Sequence, residues 1–124
     1  MLTTPVYAQG RKTALHFACL ERNLAIAKML AHQAEVDLEL RDKDGLTALM
    51  SATRRRAGKI VAMLLRAGAK VNAQARTGHT ALMFAAALDD AAITATLLNA
   101  RARLDIVNEV PTRERRQLPL SRSL

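Results

Sequence analysis

The stretch Thr47-Ala48-Leu49-Met50 recurs 33 residues later as Thr80-Ala81-Leu82-Met83, and Thr13-Ala14-Leu15-His16 stands 34 residues before it. A chain that repeats at a fixed period of this length folds as a stack of similar units, each burying its apolar face against the next. Sliding the sequence by 33 also superposes Gly45 on Gly78, Ala52 on Ala85, Ile60 on Ile93, Leu64-Leu65 on Leu97-Leu98, Ala67 on Ala100 and Ala69 on Ala102. Identity falls on small and apolar residues, as stacked cores require.

Within one unit the spacing predicts turn, helix, helix and extended arm. Gly45 marks a tight turn and Thr47 an N-cap, followed by a short first helix carrying Leu49, Ala52 and Thr53. A second helix begins near Lys59, with Ile60, Val61, Met63, Leu64 and Leu65 as its apolar stripe and Gly68 at a left-handed C-cap. The arm Ala69-Lys70-Val71-Asn72-Ala73 then leads to the next turn at Gly78. A helix of about ten residues is marginal alone in water, so neighbouring units must supply the core.

The unit Asp42-Lys43-Asp44-Gly45-Leu46-Thr47-Ala48-Leu49-Met50, followed by Ile60-Val61 and Leu64-Leu65-Arg66-Ala67-Gly68-Ala69-Lys70-Val71-Asn72-Ala73, resembles the ankyrin repeat. The resemblance covers Arg11 to Asp105 and implies an all-α solenoid of helix-turn-helix units with β-hairpin-like connecting arms. The expected organisation is a lead over residues 1–12, three repeats over residues 13–108 (about 13–44, 45–77 and 78–108) and a flexible basic tail over residues 109–124. Departures are local. The family's Thr-Pro-Leu-His carries Ala14, Ala48 and Ala81 in place of Pro, and only the first copy keeps the His. Ala34 and Arg101 occupy the slot of Gly68, so those helix ends either take a strained positive φ or end differently. The first unit carries one extra residue, placed near Glu35-Val36.

A chain of 124 residues is one domain, and three units are about the minimum for a stable stack. The lone Cys19 cannot form an internal disulfide and points to a reducing compartment; its small-residue slot on a first helix predicts a buried, unreactive thiol. Lys28, Arg66 and Asp89 interrupt the longest apolar stretches, and Met1 to Gln9 lacks the basic start of an export signal. The reading is therefore an intracellular protein, cytoplasmic or nuclear, with no membrane partner; Val6-x-Ala8 keeps an exported form as the alternative. No catalytic constellation is present. His16, His32 and His79 fall in different units, no Cys or carboxylate joins them at metal-ligand spacing, and the glycines are isolated. His16 is read as a hydrogen-bond partner of Thr13, while Asp89-Asp90 and Asp42-x-Asp44 are read as solvated turn residues. The expectation is a non-enzyme without metal, cofactor or small-molecule substrate.

The ankyrin resemblance implies a rigid platform for protein partners, using the hairpin tips and the exposed side of the first helices as one concave strip. Carried over by position, the strip comprises Lys12, Lys43, Asp44, Leu46, Arg76, Thr77 and His79 at the tips. The first helices add Leu20, Glu21, Arg54, Arg55, Ala87 and Leu88. Charge supplies the clue to the partner. The chain carries a formal +8, and between Leu46 and Thr77 stand Arg54, Arg55, Arg56, Lys59, Arg66, Lys70 and Arg76 with no acid. An acidic protein is the expected partner. Nucleic acid is the alternative, held through phosphates because exposed aromatics for base stacking are lacking. A third reading is a piece of a longer repeat array.

Overall fold

Threonines at the 33-to-34-residue period start the first helix of every unit. In the computed structural model, which describes residues 12–106, Thr13, Thr47 and Thr80 each accept a hydrogen bond at their side-chain oxygen from the backbone N–H three residues on. Behind these caps run α1 (Ala14–Leu20), α3 (Ala48–Arg54) and α5 (Ala81–Ala87), each seven residues long. Each is followed by a second helix: α2 (Leu24–Ala31), α4 (Gly58–Arg66) and α6 (Ala91–Asn99). The first helices pack side by side as one layer and the second helices as another. Among the described residues the fold is all-helical, with no strand.

The link between the paired helices has the same geometry in every unit. Arg22, Arg56 and Asp89 adopt φ of 57°, 59° and 58°, which turns the chain so that the next N–H reaches the carbonyl of Ala18, Ala52 or Ala85. Asn23 and Asp90 then cap α2 and α6 through their side chains, whereas Ala57 gives α4 no such bond. Side chains are uncommon in this left-handed region, so each link holds a small strain that the surrounding packing overcomes.

The two helix ends without glycine resolve in opposite ways. Arg101 takes φ 70° and lets the Ala102 N–H bond the Leu97 carbonyl at 3.0 Å, as Gly68 at φ 102° does for Ala69 and Leu64. The first unit ends differently. His32 Nδ1 donates to the Lys28 carbonyl and Gln33 Nε2 to the Met29 carbonyl, satisfying the open end of α2 with side chains. The extra residue is absorbed in a turn closed by the Val36 N–H on the Gln33 carbonyl, close to its expected place.

Beyond the helices the arms fold as hairpin-like turns, closed by Asp42 N–H to Leu46 O at 3.1 Å and Ala75 N–H to His79 O at 2.8 Å. Gly45 is required there on two counts: its φ is 78°, and a Cβ would lie 2.6 Å from the Arg76 backbone nitrogen. Neighbouring arms are stitched at the same period. Glu39 Oε2 accepts from the Lys70 N–H, and Asn72 Oδ1 from the Arg103 N–H.

Between the layers Leu49, Ile60, Val61, Leu64, Ile93 and Leu97 are fully buried. A smaller cluster of Leu46, Met50 and Ala75 lies under the hairpins, with Ala73 and Phe84 packed against it. The terminal units are unequal. α2 buries only Ala27 and Ala31 and leaves Met29 62% exposed. In α6 the Thr94 and Thr96 hydroxyls bond back to the Asp90 and Ala92 carbonyls, so this face needs no further unit to satisfy them. The lead (except Lys12), the end of the third unit and the basic tail lie outside the described residues.

Candidate functional site

The first helices and the hairpin tips enclose two hollows that share a wall. One, of about 310 Å³, lies between the first and second units and is lined by Lys12, Leu20, Asp42, Asp44, Leu46, Ser51, Arg54 and Arg55. The other, of about 340 Å³, lies between the second and third units and is lined by Asp44, Leu46, Arg54, Ala75, Arg76, Thr77, His79 and Phe84. Asp44, Leu46 and Arg54 belong to both, so the two form one groove along the stack.

Ser51 and Phe84 are equivalent residues of successive units, and the corresponding residue of the first unit is Phe17. The small serine leaves the first hollow polar, while the ring of Phe84 makes a wall of the second. His79 stacks on that ring with centroids 5.4 Å apart, and the Arg54 guanidinium lies 5.7 Å from its centroid. Thr77 Oγ1 and His79 Nδ1 are 2.6 Å apart, which holds the imidazole in place. The floor is apolar, built by the buried Leu46 and Ala75.

Three consecutive arginines take three different directions, because Arg54 is the last residue of α3, Arg55 its C-cap, and Arg56 turns the chain into the left-handed region at φ 59°. Arg54 faces the groove. Arg55 Nε donates to the Leu20 carbonyl at the end of α1, and Arg56 donates to the Leu88 carbonyl at the end of α5 while facing Asp90 at 3.9 Å. A guanidinium at a helix C-terminus meets both open carbonyls and the negative end of the helix dipole. Arg55 and Arg56 therefore tie the middle unit to both neighbours.

Asp42 departs from its expected role as a solvated turn residue. It is 4% exposed. Its Oδ1 accepts from the Asp44 and Leu46 N–H groups, shaping the tip, and its Oδ2 faces Lys12 Nζ at 3.6 Å. Asp44 of the same motif is exposed. His16 bonds Thr13 as expected and does more. Its Nδ1 accepts from the Thr13 N–H, so the neutral ring carries its proton on Nε2 and donates to the Leu46 carbonyl at 2.7 Å, clasping the first unit to the second. Burial holds its pKa below the ordinary value, against the opposing effects of the Leu46 hydrogen bond and the Asp42 charge. Cys19 is fully buried, and burial pushes its thiol up to about 12, so the nucleophilic thiolate is not formed near neutral pH.

Of the strip expected from sequence, Lys12, Leu20, Asp44, Leu46, Arg54, Arg55, Arg76, Thr77 and His79 line the groove. Leu46 does so from the core, and Lys12 is tied to Asp42. Lys43 is exposed beside the tip, outside the two linings, as are Glu21 and Ala87 at the ends of α1 and α5; Leu88 is half-buried at the end of α5. Sequence reasoning missed Asp42, Ser51, Ala75 and Phe84 as lining residues. Ser51 and Phe84 were open to detection, since a polar residue alternates there with phenylalanine at the repeat period. The expectation of no exposed aromatics also fails: Phe17, on the groove-side position of the first unit, is 38% exposed. Among the described residues, no three His, Cys, Asp or Glu side chains cluster to hold a metal, and no helix is long and apolar enough to cross a membrane.

The family model described as ankyrin repeats (3 copies) matches residues 3–75 and again residues 34–108. Among curated proteins, the neurogenic locus notch homolog protein 1 of Xenopus tropicalis is 34% identical over 97 residues, 78% of this chain and 4% of that protein. Its namesake from Xenopus laevis gives the same identity and coverage. The chain thus spans about 4% of the length of these relatives.

Proposed function

Because the chain belongs to the ankyrin-repeat family, whose repeats are protein–protein interaction modules, we propose that its groove binds an acidic protein partner. The observation that carries this reading is the alignment of Lys12, Arg54, Arg55 and Arg76 along one groove, apolar-floored in its second hollow, in a chain with no acid between Leu46 and Thr77. Lys12 and Arg55 are partly engaged within the protein, at Asp42 and at the Leu20 carbonyl. Arg54 and Arg76 are therefore the cations best placed to meet carboxylates. Asp44 at the shared rim limits the positive potential and favours a partner whose acids are spaced rather than continuous. Such charges contribute mainly to association rate and register, and the apolar floor to residence time.

The test is affinity capture with three parallel baits: the native chain, the double reversal Arg54→Glu/Arg76→Glu, and Arg66→Glu on the exposed face of α4. Arg55 stays untouched because its reversal would also break the bond to α1. A protein retained by the native chain and by Arg66→Glu but lost from the double reversal supports the reading. Equal losses from both variants would mean that diffuse charge attracts the ligand. Capture of nucleic acid, with affinity falling linearly in log salt by about one unit of slope per phosphate, would replace it with the phosphate-binding alternative.

A further inference from the structure

Arg54 and Arg76 do not stand alone in the second hollow: between them lies an apolar space that no described side chain fills. Phe84 forms its wall, and Leu46 and Ala75 form its floor. At about 340 Å³ it holds on the order of ten waters' worth of volume, enough for one large side chain with its backbone. The Phe84 ring is only half-buried and is held in orientation, with His79 stacked on it and Arg54 nearby. A ring fixed in this way at the edge of a hollow is ready to receive an apolar group without first losing freedom of its own.

The neighbouring hollow differs in kind. There the equivalent side chain is Ser51, whose Oγ makes no hydrogen bond among the described residues, and Asp42 brings a carboxylate to the wall. Apolar and polar compartments thus follow one another along a single groove, with Arg54 at the boundary. The compartment between the second and third units sets Arg54, Arg76 and Asp44 around a floor of Leu46 and Ala75 and the Phe84 ring.

From this juxtaposition we infer that the hollow between the second and third units is an anchor site for one large aliphatic or aromatic side chain of an extended segment, flanked by carboxylates that meet Arg54 and Arg76. The inference rests on the acidic-partner reading and adds the residue that confers specificity, Phe84. Apolar burial supplies the affinity of such an anchor, since an ion pair at a wet rim contributes little. The flanking acids set direction and register.

Two synthetic eleven-residue peptides test this, each rich in Asp and Glu and differing only in a central Leu or Ser. Titration of the full chain by amide-resolved NMR reads both affinity and place. The Leu peptide is expected to bind about 10- to 100-fold more tightly than the Ser peptide, from the burial of one leucine side chain, and to shift the amides of Leu46, Ala75, His79 and Phe84. Phe84→Ser, which installs the residue its own second unit carries there, should bring the Leu-to-Ser preference towards one. Arg54→Met should weaken both peptides alike and leave the preference in place, whereas a merely structural role for Phe84 would make Phe84→Ser weaken both peptides alike. Equal binding of the two peptides overturns the anchor while leaving the acidic reading intact. Failure of both to bind overturns the two together, and an unchanged preference in a folded Phe84→Ser variant removes Phe84 from the site.

Discussion

His16→Met replaces the imidazole with the side chain that the second and third units carry at the equivalent positions, Met50 and Met83. The helix and the volume are retained, so the change isolates the hydrogen bonds. One buried backbone group loses its partner, the Thr13 N–H bonded at 3.2 Å, and the Leu46 carbonyl loses the 2.7 Å bond while keeping the one from the Asp42 N–H at 3.1 Å. Leaving the Thr13 N–H unsatisfied costs about 1–3 kcal/mol and losing one of two bonds at the Leu46 carbonyl about 0.5–1.5 kcal/mol, so the variant should be roughly 1.5–4 kcal/mol less stable at pH 7.5. The pH dependence supplies an independent check. Burial lowers the pKa of His16 in the folded chain, so the unfolded chain takes up the proton first as pH falls below the ordinary value of about 6.5. The stability contributed by neutral His16 is therefore complete above that pH and declines below it. Urea titrations of both proteins at intervals from pH 7.5 to 5 should show their difference shrinking with acidification. Lys12 and Asp42, the charged groups acting on His16, are common to both proteins. Equal stability at pH 7.5, or a difference constant across that range, would refute the clasp.

Leu64 is fully buried in the middle second helix, so Leu64→Ala should open a cavity between units and cost about 2–5 kcal/mol, read as a fall in the urea midpoint; an unchanged midpoint would mean that the packing register is wrong. Arg101→Gly should stabilise by roughly 0.5–1 kcal/mol, because φ 70° strains a side chain that Gly68 avoids at the equivalent position, and a thermal melt should rise by a few degrees. No rise would show that the exposed end of α6 gives the strain no leverage on global stability.

The sequence by itself determined the architecture, and the reason is its period. Repeating Thr-Ala-Leu blocks set the N-caps, the Leu64-Leu65 and Leu97-Leu98 pairs set the buried stripe, and the glycines at 45, 68 and 78 set the left-handed turns, all through forces acting within a few residues. Even the alternation of Phe17, Ser51 and Phe84 was open to reading, though its meaning was not. Contacts across the period belong to the tertiary structure alone. The position of Arg54 and Arg55 on the strip could be carried over from the repeat, but nothing in Arg54-Arg55-Arg56 tells that Arg55 and Arg56 bind the carbonyls of flanking helices, since that depends on where Leu20 and Leu88 come to lie. Asp42 looks in sequence like any turn aspartate, yet the packing of α1 against α3 and the approach of Lys12 bury it. Local propensity specified the units. Their stacking decided which polar groups lost water, and therefore which residues line the groove and which hold it together.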